Sequence, residues 1–344
     1  MGASILAIIS KAPLRISFAG GGTDLEPFCS THGGCVLSAT INQYAYVKIE
    51  PNPSLTDDTW MFCSPDFDEE NKLTGDIDDW DTNKSTLLVK TYKHMYKKYQ
   101  FELSPVKITG YCETPPGSGL GSSSAYTVAT VSAINRYYAL GLSKYDIADV
   151  SHYIERDVCS LPGGKQDQYA STFGGINFIE FKNQVLVNPI ELPESFQEKL
   201  QMSTVLYYIG GQRNHSVIED NIKNLQENKD TITKTFQLKE NCNSFFTAIT
   251  TGDQQRIIEL MNENHLLKKQ LSSKIIDPDI EEIYQTAITH GAMAGKICGA
   301  GGGGHMIFFT DFTKRHNLIK TLNSLDGHVV PFSFTHKGTI TWSQ

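Results

Sequence analysis

The stretch Glu113–Leu140, "ETPPGSGLGSSSAYTVATVSAINRYYAL", restricts this chain more than any other. Two prolines and three closely spaced glycines, Gly117, Gly119 and Gly121, precede three serines and a run with helical periodicity. Without a Cβ, these glycines can take left-handed conformations and bring backbone N–H groups close to a ligand. The helix expected to begin around Gly121 to Ser123 then presents unpaired N–H groups and the positive end of its dipole, which together suit an anion. Ser122, Ser123 and Ser124 can cap that helix, and a hydroxyl there can reach a metal ion bridging phosphates. A plainer reading is a Pro-Gly turn leading into a Ser-capped helix, and both stand at this point. There is no G-x-x-x-x-G-K-[ST] and no G-x-S-x-G, so neither the usual nucleotide P-loop nor a serine-hydrolase elbow is supported.

A second glycine-rich segment, "KICGAGGGGHMIFF", contains a formal G-x-G-x-x-G from Gly299 to Gly304. A dinucleotide-binding fold requires that pattern to open a helix, whereas "HMIFF" reads as a strand. Every position from Gly299 to Gly304 except Ala300 is glycine, more backbone freedom than a simple turn needs. We expect this loop to pack against a ligand or against the first glycine loop. A third segment, "APLRISFAGGGTDLEPF", places Arg15 in an expected strand and Asp24 after a triple glycine.

The rest of the chain sets the frame. With 344 residues, 40% hydrophobic and 20% charged, the chain is long enough for two lobes with sizeable cores, and neither disordered nor fibrous. A net charge of -8 argues against nucleic acid or a membrane surface as partner, yet permits a small anion held by local amides and a few basic side chains. Seven single cysteines without a C-x-x-C pair point away from a disulfide framework or zinc cluster, and toward a reducing cytoplasm. The ten histidines show no H-x-x-x-H spacing, and Trp60, Trp80 and Trp342 are too dispersed for a base-stacking platform. "MGASILAIIS" reads as a first strand rather than a signal peptide or membrane span.

"PLRISFA", "GCVLSATI", "YAYVKIE", "PVKITGYCE", "GINFIEF", "STVLYYIG", "HMIFF" and "HVVPFSF" have the β-branched and aromatic content of strands. "STLLVKTYKHMYKKY" puts Leu87, Leu88, Thr91, Tyr92 and Met95 on one helical face, and the chain from about 215 to 291 reads as mostly helical. The expectation is an α+β protein of two lobes, 1–195 and 196–344, dividing somewhere near 190 to 205.

In order and spacing the three glycine-bearing segments resemble the three motifs of the GHMP kinases, and the resemblance spans essentially the whole chain. Within that superfamily, "FAGGGTDLEPF", "GCVLSATINQYAYV" and "LPGGKQDQYASTFGGIN" look most like the branch that phosphorylates D-glycero-D-manno-heptose 7-phosphate. Where galactokinases carry Glu-His before Thr-Asp, this chain has Gly21 and Gly22 before Thr23 and Asp24, so galactose itself is disfavoured.

The resemblance implies a ribosomal-S5-like N-terminal lobe, a ferredoxin-like C-terminal lobe and an active site between them. It implies ATP and Mg²⁺ and transfer of the γ-phosphoryl to the anomeric hydroxyl to give the 1,7-bisphosphate; the expected assembly is a monomer or a homodimer. Asp167 matches the family's catalytic aspartate and Arg15 its basic partner. Pro116, Gly117, Gly119, Leu120, Gly121, Ser122, Ser123 and Ser124 match the nucleotide-phosphate loop. Ser123 matches the metal-binding serine, and Glu155 the metal-binding glutamate, although the segment from Glu155 to Asp167 is one residue longer than in mevalonate kinases. Asp24 and Thr23 fall where sugar kinases of the family bind ring hydroxyls. Lys165 and Arg213 are candidates for the substrate's own phosphate, and Gly301 and Gly302 for the substrate side of the third motif. Phosphoryl transfer needs positioning and charge neutralisation above all, and this set supplies both; a carboxylate near the acceptor hydroxyl can take its proton. A kinase for a free sugar or a non-sugar alcohol, and an inactive ligand sensor on the same fold, are the alternatives. A sensor could lack the aspartate, the metal serine or the basic partner, whereas this chain has a match to each.

Overall fold

The structure, a computed structural model, describes residues 7–52, 58–80, 86–115, 117–210 and 216–344. The chain runs β1 (Ile8–Ala19), α1 (Phe28–His32), β2 (Gly34–Pro51), β3 (Thr59–Ser64), β4 (Glu69–Thr74), α2 (Leu87–Tyr99), β5 (Val106–Cys112), α3 (Ser122–Tyr137), α4 (Lys144–Tyr153), α5 (Gln166–Phe173), β6 (Ile176–Phe181) and β7 (Val185–Pro189). It continues through α6 (Glu194–Ser203), β8 (Thr204–Gly210), α7 (Ser216–Glu227), α8 (Lys229–Thr251), α9 (Gln254–Leu271), α10 (Pro278–Thr289), β9 (Ala292–Ile297), β10 (Gly304–Thr310), α11 (Phe312–Leu322), β11 (His328–Val330) and β12 (Ile340–Ser343).

Two sheets organise these elements. One has eight strands in the order β12-β1-β2-β5-β3-β4, with β6 on the first half of β2 and β7 beyond it; the other is antiparallel, β11-β8-β10-β9. The segments "GCVLSATI" and "YAYVKIE", read as two strands, form one. Pro13 pairs with Tyr44 and Leu14 with Ile41, so Asn42 and Gln43 bulge from β2 opposite a proline that has no N–H for the ladder. The Asn42 N–H goes instead to the Ser333 carbonyl at 2.9 Å.

That contact belongs to another departure from the sequence reading. Only His328–Val330 of "HVVPFSF" is a strand. Pro331 cannot extend the ladder, and the chain crosses to the other lobe, where Phe334 bridges Ile41 and the Thr335 N–H donates to Thr40 at 2.9 Å. β12 then pairs with β1, Ser343 opposite Ile8. A lobe boundary after residue 195 falls in the first turn of α6 and leaves this tail with the first sheet; we keep that boundary as a proposal.

α2 buries Leu88, Val89, Thr91, Tyr92 and Met95, close to the face read from its periodicity, and the Thr86 hydroxyl caps it. The region from 216 to 289 is helical, as expected, and α8 and α9 pack both on β1 or β2 and on one another, with α9 against β9. Trp60 and Trp80, far apart in sequence, meet edge to face at 5.4 Å in the core. No helix among the described residues is long and apolar enough to cross a membrane.

Phe18, fully buried on β1, joins the lobes. Its ring lies 6.0 Å from Phe245 on α8, 6.3 Å from Phe309 on β10 and 6.2 Å from Phe334 on the returning tail. Such a residue loses contacts from both lobes when truncated, so Phe18→Ala should lower unfolding stability by about 3–5 kcal/mol. Urea unfolding followed by fluorescence and circular dichroism tests this, and a loss under about 1 kcal/mol would show that the lobes do not share a core here.

Candidate active site

β1 carries Arg15 into the interior, where it is only 2% exposed. A buried guanidinium needs a counter-charge and acceptors for its N–H groups. Its Nε donates to Asp167 Oδ1 at 2.7 Å, Nη2 stands 2.5 Å from the same oxygen, and Nη1 donates to the Gly119 carbonyl at 2.6 Å. The Arg15 backbone N–H also donates to Leu120 at 3.0 Å, so the glycine loop is fastened to the strand by side chain and main chain together. Asp167 lies in the first turn of α5, where the helix dipole favours a carboxylate, and it keeps an exposed edge toward the cleft.

Gly117, Gly119 and Gly121 have φ of 78°, 77° and 78°. A Cβ on Gly121 would stand 3.3 Å from the Asp167 carboxyl, and one on Gly119 would stand 3.1 Å from the Cys298 carbonyl. The glycines therefore let the loop close on the aspartate on one side and on the third glycine segment on the other. α3 starts at Ser122 behind Gly121, within the expected range, but no serine caps it. The hydroxyls have other partners: Ser122 donates to Pro115 at 3.3 Å, Ser123 donates to Glu155 Oε1 at 2.7 Å, and Ser124 accepts from Gln168 at 3.0 Å. The cap site is a left-handed glycine, which leaves the N–H groups at the helix start without a side-chain acceptor.

Glu155, 1% exposed, sits in a π-helical turn, Ile154–Val158, closed by the Cys159 N–H to Ile154 at 2.9 Å. Such a turn is wider than that of an α-helix. Gln168 also donates to Glu155 Oε2, so the carboxylate is held from both sides. Asp24, 1% exposed, does not cap α1, whose cap position is Pro27. It accepts from the Gly22 N–H at 3.0 Å, from the Gln166 N–H at 3.1 Å and from the Gln166 amide at 3.1 Å to both oxygens. Thr23 faces away, its hydroxyl donating to the Cys35 carbonyl at 2.8 Å.

One cleft, open at its mouth, brings together Arg15, Asp24, Asp167, Glu155, Gly117, Gly119, Gly121 and Ser122, Ser123 and Ser124. Gly299 and Ala300 join this lining, whereas Gly301 and Gly302 turn onto Ile275 and Val217 of the C-terminal lobe. Leu120 is buried behind the loop. Lys165 points elsewhere: its Nζ lies 2.7 Å from Glu26 and it borders a separate depression with Asp149 and His152. The expectations for Pro116 and Arg213 fall outside the described residues.

Among the cleft residues that were not foreseen are Arg156, Ile218, Asn221 and Lys268. Arg156 donates to the Leu161 and Gly164 carbonyls, each at 3.0 Å, bracing the loop before Asp167. Lys268 is the one whose position the sequence could have revealed. Met261, Asn264, His265 and Lys268 recur at helical spacing on the buried face of α9, an odd place for an ammonium. Lys296 is a further buried cation, donating to the Ser17 and Ile297 carbonyls at 2.8 and 2.9 Å. Burial, with Arg15 nearby, pulls its ammonium down to about 8.

Two lobes that each send a glycine-rich segment to a common cleft define a two-lobed small-molecule kinase. The chain belongs to the GHMP kinases: models described as GHMP kinases N terminal domain and GHMP kinases C terminal match residues 86–175 and 245–325. It is 34% identical to the D-glycero-alpha-D-manno-heptose 7-phosphate kinase of Campylobacter jejuni subsp. jejuni serotype O:2, over 97% of this chain and 98% of that one. It is 28% identical to a galactokinase of Thermosipho africanus over 91% and 92% of the two chains. The crystal structure of a D-glycero-D-manno-heptose 1-phosphate kinase from Bacteriodes thetaiotaomicron superposes with a TM-score of 0.83 and 31% identity, covering 98% of this chain and 99% of that one. The protein is a phosphotransferase of this family, with its two-lobed α+β fold.

The two glycine segments are latched by His305, whose Nδ1 meets the Ser118 carbonyl at 2.6 Å. Burial pulls this imidazole from 6.5 down to about 4. Between those values the unfolded chain takes up a proton that the folded chain refuses, so stability falls as pH drops through the window, by at most about 1.4 kcal/mol per pH unit. Wild type should therefore lose stability more steeply than His305→Gln between pH 6.5 and 4. Parallel urea midpoints for the two across this range would mean that the folded imidazole takes up its proton as readily as the unfolded one.

Proposed function

We propose that this protein transfers the γ-phosphoryl group of ATP to the anomeric hydroxyl of D-glycero-D-manno-heptose 7-phosphate, giving the 1,7-bisphosphate. The observation that carries the reading is the buried Arg15–Asp167 pair under the glycine cradle, in a chain 34% identical over nearly its whole length to a heptose 7-phosphate kinase. The loop from Gly117 to Ser124 supplies amides for the nucleotide phosphates, and the start of α3 adds its dipole. Asp167 takes the proton of the acceptor hydroxyl, while Arg15 holds the carboxylate in one orientation. Asp24, fixed by Gln166, lies one residue pair away from this base and faces the sugar.

Ser123 and Glu155 are the residues that would hold Mg²⁺. Both are hard oxygen donors lining the cleft, and their oxygens are 2.7 Å apart. That suits an ion which takes one or two protein oxygens and completes its shell with phosphates and water. When bound, it would neutralise charge on the transferring phosphates.

The two related kinases named above differ in the phosphate position that their names give, so the site of transfer is tested directly. ADP release against sugars and sugar phosphates, followed by phosphorus NMR of the product, should show a new anomeric phosphate on heptose 7-phosphate. A new phosphate at any other carbon, or none, would reject the reading. Asp167→Asn should reduce turnover by about 10²–10⁴-fold while ATP affinity measured by calorimetry changes little, because the side chain serves the acceptor. Near-normal turnover in that variant would place the base elsewhere.

A further inference from the structure

A phosphorylated acceptor brings about -1.5 to -2 charge to a protein whose own net charge is -8, so holding it calls for a cation whose charge the protein itself leaves unbalanced. Arg156 has that character. It follows Glu155 in the π-helical turn, is partly buried and lines the cleft. Among the described residues it forms no ion pair, in contrast to Arg15, whose charge is met by Asp167. Its five N–H groups are only partly used. Nη1 donates to the Leu161 carbonyl and Nη2 to the Gly164 carbonyl, each at 3.0 Å, and the buried Nε–H meets no acceptor among the described residues. A guanidinium bonded to carbonyls alone keeps its whole charge, and an unmet donor in a partly buried group is costly until an acceptor arrives.

Two glycines set where this guanidinium stands. It lies against Gly163, where a Cβ would come 2.5 Å from Nη2 and 2.7 Å from Cζ, and a Cβ on the next residue, Gly164, would overlap the Asp24 carboxyl. The loop before α5 is therefore thin enough to carry the guanidinium at Gly163 and the carboxylate at Gly164. Asp24 is held in turn by the main chain and the amide of Gln166, the neighbour of Asp167. These contacts form one run from the proposed base, past the proposed sugar-binding carboxylate, to the guanidinium. Asp167, Gln166, Asp24, Gly164, Gly163 and Arg156 all line the cleft.

We propose that Arg156 receives the acceptor's own phosphate and so selects a sugar phosphate over a free sugar; this rests on the sugar-phosphate reading given above. A sugar with its reacting hydroxyl at Asp167 and its ring beside Asp24 extends along this wall to Arg156. A planar guanidinium offers phosphate oxygens paired donors, and partial burial strengthens the attraction relative to a surface arginine. Because Arg156 also braces Leu161 and Gly164, its replacement has two separable effects. Loss of the charge acts on the phosphorylated acceptor alone, whereas loss of the bracing acts on any acceptor.

The test compares kcat/KM for heptose 7-phosphate and for unphosphorylated heptose in wild type, Arg156→Gln, Arg156→Lys and Lys268→Met, at two ionic strengths. A charge-assisted contact of this kind corresponds to about a 10–150-fold fall in the ratio of the two values for Arg156→Gln. Added salt should lower the ratio more in wild type than in that variant. Arg156→Lys keeps the charge but lacks the fork that spans both carbonyls, so both values should fall while most of the ratio is kept. Thermal unfolding checks each variant, and Arg156→Met reads the same ratio if the glutamine variant does not fold. An unchanged ratio in Arg156→Gln overturns the proposal, whether both values fall together or neither falls, since Arg156 then serves the nucleotide or the loop. A ratio lost in Lys268→Met instead overturns it too, by moving the phosphate to α9. A wild type that prefers the free heptose overturns the sugar-phosphate reading itself, a result distinguishable from the others because it appears without any substitution.

Discussion

A guanidinium that is 2% exposed cannot stand alone, and the arrangement of this cleft follows from how Arg15 is satisfied. Its side chain requires a carboxylate and a carbonyl at fixed geometry, and these come from Asp167 on α5 and Gly119 in the glycine loop. Three segments far apart in sequence are thereby set against one another within hydrogen-bond tolerance. Removing one partner of such a pair is costly because the remaining charge stays buried. The same residue that orients the proposed base thus also holds the glycine loop to the strand beneath it, through separate donors.

Close approach of that loop to its neighbours explains why its composition is so bare. Gly121 abuts the Asp167 carboxyl, Gly119 abuts Cys298, and a Cβ on Gly304 would come within 2.4 Å of the Ser118 carbonyl. The serines that follow are released from capping because a left-handed Gly121 occupies the cap position. Their hydroxyls are then available to Pro115, Glu155 and Gln168, and the N–H groups of the first turn keep the open, positive end that an anion needs.

The parts legible in the sequence were those with local chemistry. The glycine segments, the strand carrying Arg15, the periodic face of α2 and the α+β character are all written in short windows. What was not legible depended on the lobes meeting. Gly299 and Ala300 face the cleft while Gly301 and Gly302 turn to Ile275 and Val217, a difference set by packing partners more than two turns of sequence away. Lys165 looked like a cleft cation because it lies two residues before Asp167, but the start of α5 directs it outward to Glu26. The break in "HVVPFSF" needed Pro331 to be weighed against the strand propensity of its neighbours. Lys268 carried a signal, a charge in register with the buried residues of α9, that only a helix-by-helix check of polarity would have caught.

The division of labour between lobes follows from the same geometry. Arg15, Asp167, Asp24, Ser123 and Glu155 all come from the first lobe, so the proposed chemical machinery is fixed by one sheet and its helices. Gly299, Ala300, Asn221 and Lys268 come from the second, and they reach the cleft only because the core around Phe18 holds the lobes together. Substitutions on α7 and α9 therefore change the lining of the cleft while leaving the Arg15–Asp167 pair untouched. A fold built in this way can keep one phosphoryl-transfer apparatus and vary its acceptor, because a site shared between two packed bodies lets recognition change on one without disturbing the chemistry of the other.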